Sequence, residues 1–199
     1  MTKNILREIL QWVQAIVIAI VIAILIRGFL FEPVIVDGSS MQTTLQHKDR
    51  VILNKITLAF NDIERGDIVV LEINAPEFRF FKFLNGSDLA KKLLPTFTEV
   101  DYIKRVVAIG GDVIDIKDNH LYINGTRQEE EYIKFPNSTR GGATQMPHTV
   151  PEDHYFVMGD NRTDSQDSRV FGSVPKDKII GKTILRIWPL DKFGKIDRR

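Results

Sequence analysis

The chain has no cysteine among its 199 residues, which excludes disulfides, Cys-ligated metals and a thiolate nucleophile. An oxidising compartment is permitted by that absence without being required. Histidine is scarce: His47, His120, His148 and His154 are the full complement, and no two have the i, i+4 spacing of a helical zinc protease. His148 and His154 flank Pro151 and read as surface-loop residues. Charge of one sign is also missing. The net charge is +1 with no long basic or acidic run, so nucleic acid is not an expected partner. Internal repeats and low-complexity tracts are absent.

What the chain does have is one long apolar run. Ile9–Ile26 (ILQWVQAIVIAIVIAILI) carries no charge over 18 residues, and at about 1.5 Å per residue it approaches the roughly 30 Å hydrocarbon thickness of a bilayer. Trp12 is placed for one interface, and Arg27 can snorkel at the other. A cleavable secretory signal would have a core of about 7–15 apolar residues and then a small-x-small site. Here the sequel is RGFLFEPVIV, bulky throughout, so an anchor is the preferred reading. A buried core helix fits less well, because the run is apolar on every face. Lys3, Arg7 and the amino terminus precede the helix, while Arg27, Glu32 and Asp37 follow it. That bias favours a cytoplasmic N-terminus and an extracytoplasmic remainder. The expected organisation is a tail over 1–8, a single-pass anchor over 9–27 in the plasma (inner) membrane, and a catalytic domain over 28–199.

Beyond Gly28 the chain reads as mainly β, an antiparallel sheet or barrel-like domain rather than α/β. Runs rich in Val, Ile, Phe and Tyr recur at Val34–Val36, Val51–Ile56, Ile68–Ile73, Ile103–Ile109, Val113–Ile116, Leu121–Ile123, Tyr155–Met158 and Thr183–Trp188. Asp118-Asn119 between two of these runs predicts a tight hairpin. The segment 74–100 departs from the pattern and reads as a variable insertion. It holds Phe78-Arg79-Phe80-Phe81-Lys82-Phe83, either ordinary core with two solvated cations or a patch for the headgroup region. A short helix over Ser87–Leu94, capped by Ser87, follows.

Two features suggest chemistry. The doublet Ser39-Ser40 lies just outside the anchor, so its chemistry would take place at the bilayer surface. Lys104 sits inside the apolar stretch Tyr102–Ile109. A serine hydroxyl is a poor nucleophile until a base removes its proton, and a neutral lysine can serve. Free lysine titrates near pH ~10.4, so a lysine base needs its pKa lowered by several units, each worth about 1.36 kcal/mol. Apolar burial acts in that direction. Strand alternation would send Lys104 to one face with Val106 and Ala108, and Arg105 to the other. Taken alone, a lysine on a strand is more often a solvated side chain.

Read together, the segments resemble the type I signal peptidases, membrane-anchored Ser-Lys proteases that remove signal peptides from exported preproteins. The resemblance covers nearly the whole chain in order. Behind the anchor come Gly38-Ser39-Ser40-Met41-Gln42-Thr43-Thr44-Leu45, then Arg65-Gly66-Asp67-Ile68-Val69-Val70, then Asp101–Asp112 (DYIKRVVAIGGD), and last Gly159–Gly172 (GDNRTDSQDSRVFG). The resemblance implies Ser40 as nucleophile, with Ser39 not in that role, and Lys104 as general base. Ser165 would orient the lysine, and Asp167 with Arg169 would form a supporting ion pair. Without the resemblance, 159–172 reads as a polar turn loop and that pair as a surface contact worth at most ~1 kcal/mol.

The chain departs from the family pattern at two places. Thr43 stands where the family commonly has proline, which loosens the turn. Gly38 stands where some members place a serine hydroxyl in the oxyanion hole, leaving the Ser40 N–H as main donor and the second donor open. By the same resemblance, a signal peptide would add to the strand Pro33–Val36 by β-augmentation. Val36 and Ile103, with Val34, would line small apolar pockets that admit alanine. The expected partners are preproteins with small-x-small cleavage sites and the lipid bilayer, and no metal or organic cofactor is expected. Three rival readings are a self-cleaving repressor of similar chemistry, a silent anchored β-domain that binds exported chains, and a Ser-His-Asp enzyme.

Overall fold

The computed structural model describes residues 2–60, 63–72, 98–100 and 102–196, with the side chains of 2–6, 27, 58–59 and 98–100 outside that description. Most of the 74–100 insertion therefore lies outside the described residues, including the aromatic-basic cluster and the Ser87–Leu94 helix. The snorkelling expected of Arg27 lies outside it too.

The chain opens with α1 (Thr2–Leu25), continued by a π-helical turn, Ile26–Leu30. The stretch Arg7–Leu30, 24 residues, is long and apolar enough to cross a membrane, rising about 36 Å. Its apolar window is unburied, with Trp12 73% exposed, and only its end meets the β domain, where the Leu30 carbonyl accepts the Lys55 amide at 2.9 Å.

Among the described residues, thirteen strands follow in two sheets. The large sheet contains β1 (Phe31–Val36), β2 (Arg50–Asn54), β3 (Ile68–Leu71), β4 (Thr98–Val100), β5 (Ile103–Ile109), β10 (His154–Met158), β11 (Val174–Pro175), β12 (Ile179–Trp188) and β13 (Gly194–Lys195). Its order is β11-β10-β5-β3-β12-β2-β1-β4, with β13 on β12. Every pairing is antiparallel except β1 with β4. The smaller sheet, in the order β8-β7-β6-β9, is built from β6 (Val113–Lys117), β7 (His120–Ile123), β8 (Thr126–Arg127) and β9 (His148–Thr149). Asp118 (φ 50°) and Asn119 (φ 62°) close the predicted hairpin in the left-handed region that a tight primed turn needs.

Apolar patterning accounts for the placement. β3 is buried at all four positions, as a central strand covered on both faces should be. In β1 and β2 the buried residues alternate, Val34 and Val36 against Val51 and Leu53. These four join Met41, Leu45, Ile68, Val70 and Ile103 in one cluster. The residues just after the serine doublet are thus plugged into the core.

Several expected boundaries move. The run Val51–Ile56 stops at Asn54, whose Oδ1 accepts the Ile56 amide at 2.9 Å and starts the short helix α2 (Ile56–Ala59). The strand expected over Thr183–Trp188 begins at Ile179. Gly181 and Lys182 break its apolar pattern, yet Gly181 is where a Cβ would come 2.6 Å from the Asn54 carbonyl oxygen. Lys182 is buried and paired with Asp67 at 2.9 Å. His148 and His154 stand in β9 and at the start of β10, not in loops. Simple alternation in β5 also fails. The pairing with β10 skips Val107, a β-bulge, so Val106 and Ala108 pack in different clusters.

Candidate active site

Ser40 lies in the turn that follows β1. Gly38 enters that turn at φ +97°, a conformation glycine adopts without strain. The Gln42 amide then donates to the Ser39 carbonyl (3.1 Å) and the Leu45 amide to the Met41 carbonyl (2.9 Å). Met41 and Leu45 are 1% and 0% exposed, so the turn is pinned by its apolar side and presents Ser40 on the other.

Lys104 is the second residue of β5 and only 2% exposed. Its Nζ donates to Ser40 Oγ at 2.8 Å and to the Ile103 carbonyl at 3.0 Å. The Tyr102 ring centroid lies 5.8 Å from the same nitrogen. Two side chains 64 positions apart in sequence thus meet at hydrogen-bond distance. A hydroxyl and an amine so placed can exchange a proton.

The 159–172 segment packs on this pair. The Asn161 amide donates to the Ser40 carbonyl at 2.9 Å. Asp167 caps the short helix α3 (Ser168–Phe171) and accepts the Gly159 amide at 3.0 Å. It also takes two bonds from Arg169, Nε at 2.8 Å and the terminal nitrogen at 2.7 Å. Burial pushes the Asp167 carboxyl up, but the Arg169 hydrogen bonds and charge, the Gly159 amide and the Ser165 hydroxyl outweigh it. The group ends below the usual carboxylate range. The pair is buried (7% and 0% side-chain exposure), not the surface contact of the simpler reading.

The Ser165 oxygen is buried beside Gly159 and close enough to Asp167 to favour its ionised form. It has no fully formed hydrogen bond, to Lys104 or to anything else among the described residues. The Gly38 amide points at His47 Nδ1, 3.3 Å away, rather than into the space beside Ser40. Val34, Val36 and Ile103 are 1%, 1% and 0% exposed and form cluster rather than open pocket. β1 also has no open edge: β2 covers one side and β4 the other, with Ile35 opposite Glu99. An extended peptide therefore finds the expected strand already paired.

Beneath the site lie buried charges that sequence reasoning missed. Arg105 is fully buried and forms a two-pronged pair with Asp160, at 2.9 and 2.8 Å. Thr44 Oγ1 donates to the same carboxylate at 2.5 Å, and Tyr132 stacks on the guanidinium at 4.0 Å. Arg162 is held by Glu130 and by Thr139 Oγ1 at 2.6 Å. Burial pushes the Tyr132 hydroxyl well above its ordinary range. The only signal in the sequence was Arg105 itself, an arginine inside the apolar run Tyr102–Ile109.

The family model "Signal peptidase, peptidase S26" matches residues 9–188, from the apolar helix to the end of β12. The chain belongs to the signal peptidase S26 family. Among curated relatives, signal peptidase I P of Bacillus subtilis subsp. natto is 38% identical over 194 residues, covering 94% of this chain and 92% of that protein. Signal peptidase I S of Bacillus subtilis (strain 168) is 37% identical over 198 residues, covering 95% and 94%. Signal peptidase IB of Staphylococcus aureus (strain COL) is 30% identical over 201 residues, covering 94% and 93%. The match runs over the apolar helix and the β domain alike.

Proposed function

We propose that the chain is a membrane-anchored serine endopeptidase that cleaves signal peptides from exported preproteins with a Ser40–Lys104 dyad. The carrying observation is the 2.8 Å contact between Lys104 Nζ and Ser40 Oγ at a lysine 2% exposed. Burial disfavours an ammonium relative to a neutral amine. Once Nζ is neutral, the same contact serves with Ser40 Oγ as donor.

In the first step Lys104 Nζ takes the Ser40 proton as Oγ bonds to the carbonyl carbon of the scissile peptide. The negative charge gathers on the former carbonyl oxygen, where the Ser40 N–H is the assigned donor. Collapse of the tetrahedral adduct breaks the C–N bond, and Nζ returns the proton to the departing amine of the mature protein. The signal peptide is left as an ester on Ser40. Water, deprotonated by Nζ, then releases it. Asp167, Arg169 and Ser165 support the lysine side of this arrangement from below.

For the substrate to lie along β1, Thr98–Val100 must give up its three register partners, Val34, Ile35 and Val36. A three-residue parallel pairing is a weak barrier. Val34, Val36 and Ile103 would line the pockets for small side chains. The apolar helix serves as the anchor, with residues 1–8 cytoplasmic and 28–199 on the outer face of the plasma membrane. The anchor thereby holds the dyad where a membrane-inserted signal peptide ends.

Incubating the detergent-purified chain with a preprotein tests the proposal. Wild type cleaves, and Ser40→Ala and Lys104→Met do not. Full activity in either variant would place the chemistry on other residues.

A further inference from the structure

The serine doublet leaves Ser39 without a role in the chemistry above, yet the structure gives it a dedicated partner. Ser39 Oγ donates to Asp164 Oδ2 at the solvent-exposed rim of the site, across 125 positions of sequence. Two further bonds cross at the same place. Asn161 Nδ2 donates to the Ser39 carbonyl at 3.2 Å, and the Asn161 amide donates to the Ser40 carbonyl at 2.9 Å. Asn161 and Asp164 are the two ends of one turn, closed by the Asp164 amide on the Asn161 carbonyl at 3.0 Å.

We propose that Ser39 and Asp164 form a latch that positions the nucleophile: the Ser39–Asp164 hydrogen bond fixes the Ser39-Ser40 peptide, and with it the Ser40 N–H and Oγ, against the 159–165 turn. The two serines divide the labour. Ser40 faces the amine of Lys104, and Ser39 faces a carboxylate on the opposite wall. Neither Ser39 nor Asp164 touches the scissile bond in this arrangement, so both are positioning residues.

The need for such a latch follows from the local chain. Gly38 allows the turn wide backbone freedom, and nothing lies within 4 Å of where its Cβ would be. Thr43 supplies none of the rigidity a proline would give. The Ser40 N–H belongs to the Ser39-Ser40 peptide, so rotation of that peptide moves an oxyanion donor as well as the nucleophile. Misplacement by about 1 Å is enough to cost up to 10²-fold in rate. A hydrogen bond to a carboxylate is among the stronger neutral-donor bonds available for holding it.

The latch rests on the peptidase reading, and the test separates the two. Steady-state cleavage of a preprotein is measured for wild type, Ser39→Ala, Asp164→Ala, the double variant and Asp164→Asn, with Tm recorded for each. A wild type that fails to cleave would remove the peptidase reading and the latch together. With wild type active, each single alanine variant is expected to lower kcat about tenfold while KM and Tm stay near wild type. The double variant should be no slower than either single one, because one bond is lost in all three. Asp164→Asn keeps an accepting oxygen and should recover most of kcat. Additive losses, a loss confined to KM, or unchanged kcat in the single variants would overturn the latch while leaving the peptidase reading intact.

Discussion

Gly159 passes directly under Ser40: a Cβ built on Gly159 would lie 2.5 Å from the Ser40 carbonyl oxygen and 2.3 Å from Ser165 Oγ. The nucleophile turn and the 159–165 turn are in backbone contact there, with no room for a side chain. Gly159→Ala must push the two turns apart. Overpacking of this kind costs about 1–3 kcal/mol. The expected outcome is a cleavage rate lowered by more than tenfold with a Tm decrease of several degrees. Unchanged kinetics would mean that the turn adjusts without moving Ser40.

The Asp167–Arg169 pair makes a prediction about acid. The folded Asp167 carboxyl titrates below its ordinary value, so folding binds its proton less well than the unfolded chain does. Its contribution to stability is present above the unfolded value near pH ~3.9 and is lost as pH falls through the lower folded value. Asp167→Asn removes the charge and leaves Arg169 buried and unpaired, which costs about 3–5 kcal/mol near neutrality. The stability gap between wild type and Asp167→Asn, read by denaturant unfolding, should narrow as pH drops below ~4. A gap independent of pH would show that the pair is not ionised in the fold.

Much of this arrangement was legible in the sequence. The long apolar helix, the Asp118-Asn119 hairpin and the runs at β3 and β5 follow from hydropathy and turn chemistry acting over a few residues. Ser40 and Lys104 are singled out only through the family resemblance, because a lysine on an apolar strand is by itself more often solvated; their meeting at 2.8 Å is a property of the fold. The buried Arg105–Asp160 and Arg162–Glu130 pairs could not be picked out at all, since a charge is tolerated inside only when a distant partner meets it, and single positions carry no record of that partner. The occupied edge of β1 was hidden for a similar reason. Which strand lies beside Val34–Val36 is decided by the whole sheet order, not by the composition of Thr98–Val100.

That occupied edge can be tested with a reversible lock. Ile35 and Glu99 face each other across the β1–β4 pairing, and neighbouring strands lie about 4.8 Å apart, within reach of a disulfide. The chain has no cysteine of its own, so Ile35→Cys with Glu99→Cys introduces the only pair. Oxidised, the double variant should lose preprotein cleavage; reduced, it should regain it, and each single variant should cleave in both states. An oxidised double variant that cleaves at the wild-type rate would show that the substrate does not enter along β1.

The base assignment makes the sharpest chemical demand. Lys104 accepts a proton only when neutral, so kcat/KM should rise with pH and level off at alkaline values. Lys104→Arg keeps a cation and hydrogen-bond donors but cannot release a proton in the working range. If the lysine merely steadied Ser40 or a developing negative charge, arginine would retain part of the rate. If it is the base, Lys104→Arg should be as inactive as Lys104→Met, with losses on the order of 10⁴-fold or more. Measuring both variants across the pH range separates the roles. A partly active arginine variant, or a wild-type profile flat from mildly acidic to alkaline pH, would take general-base catalysis away from Lys104.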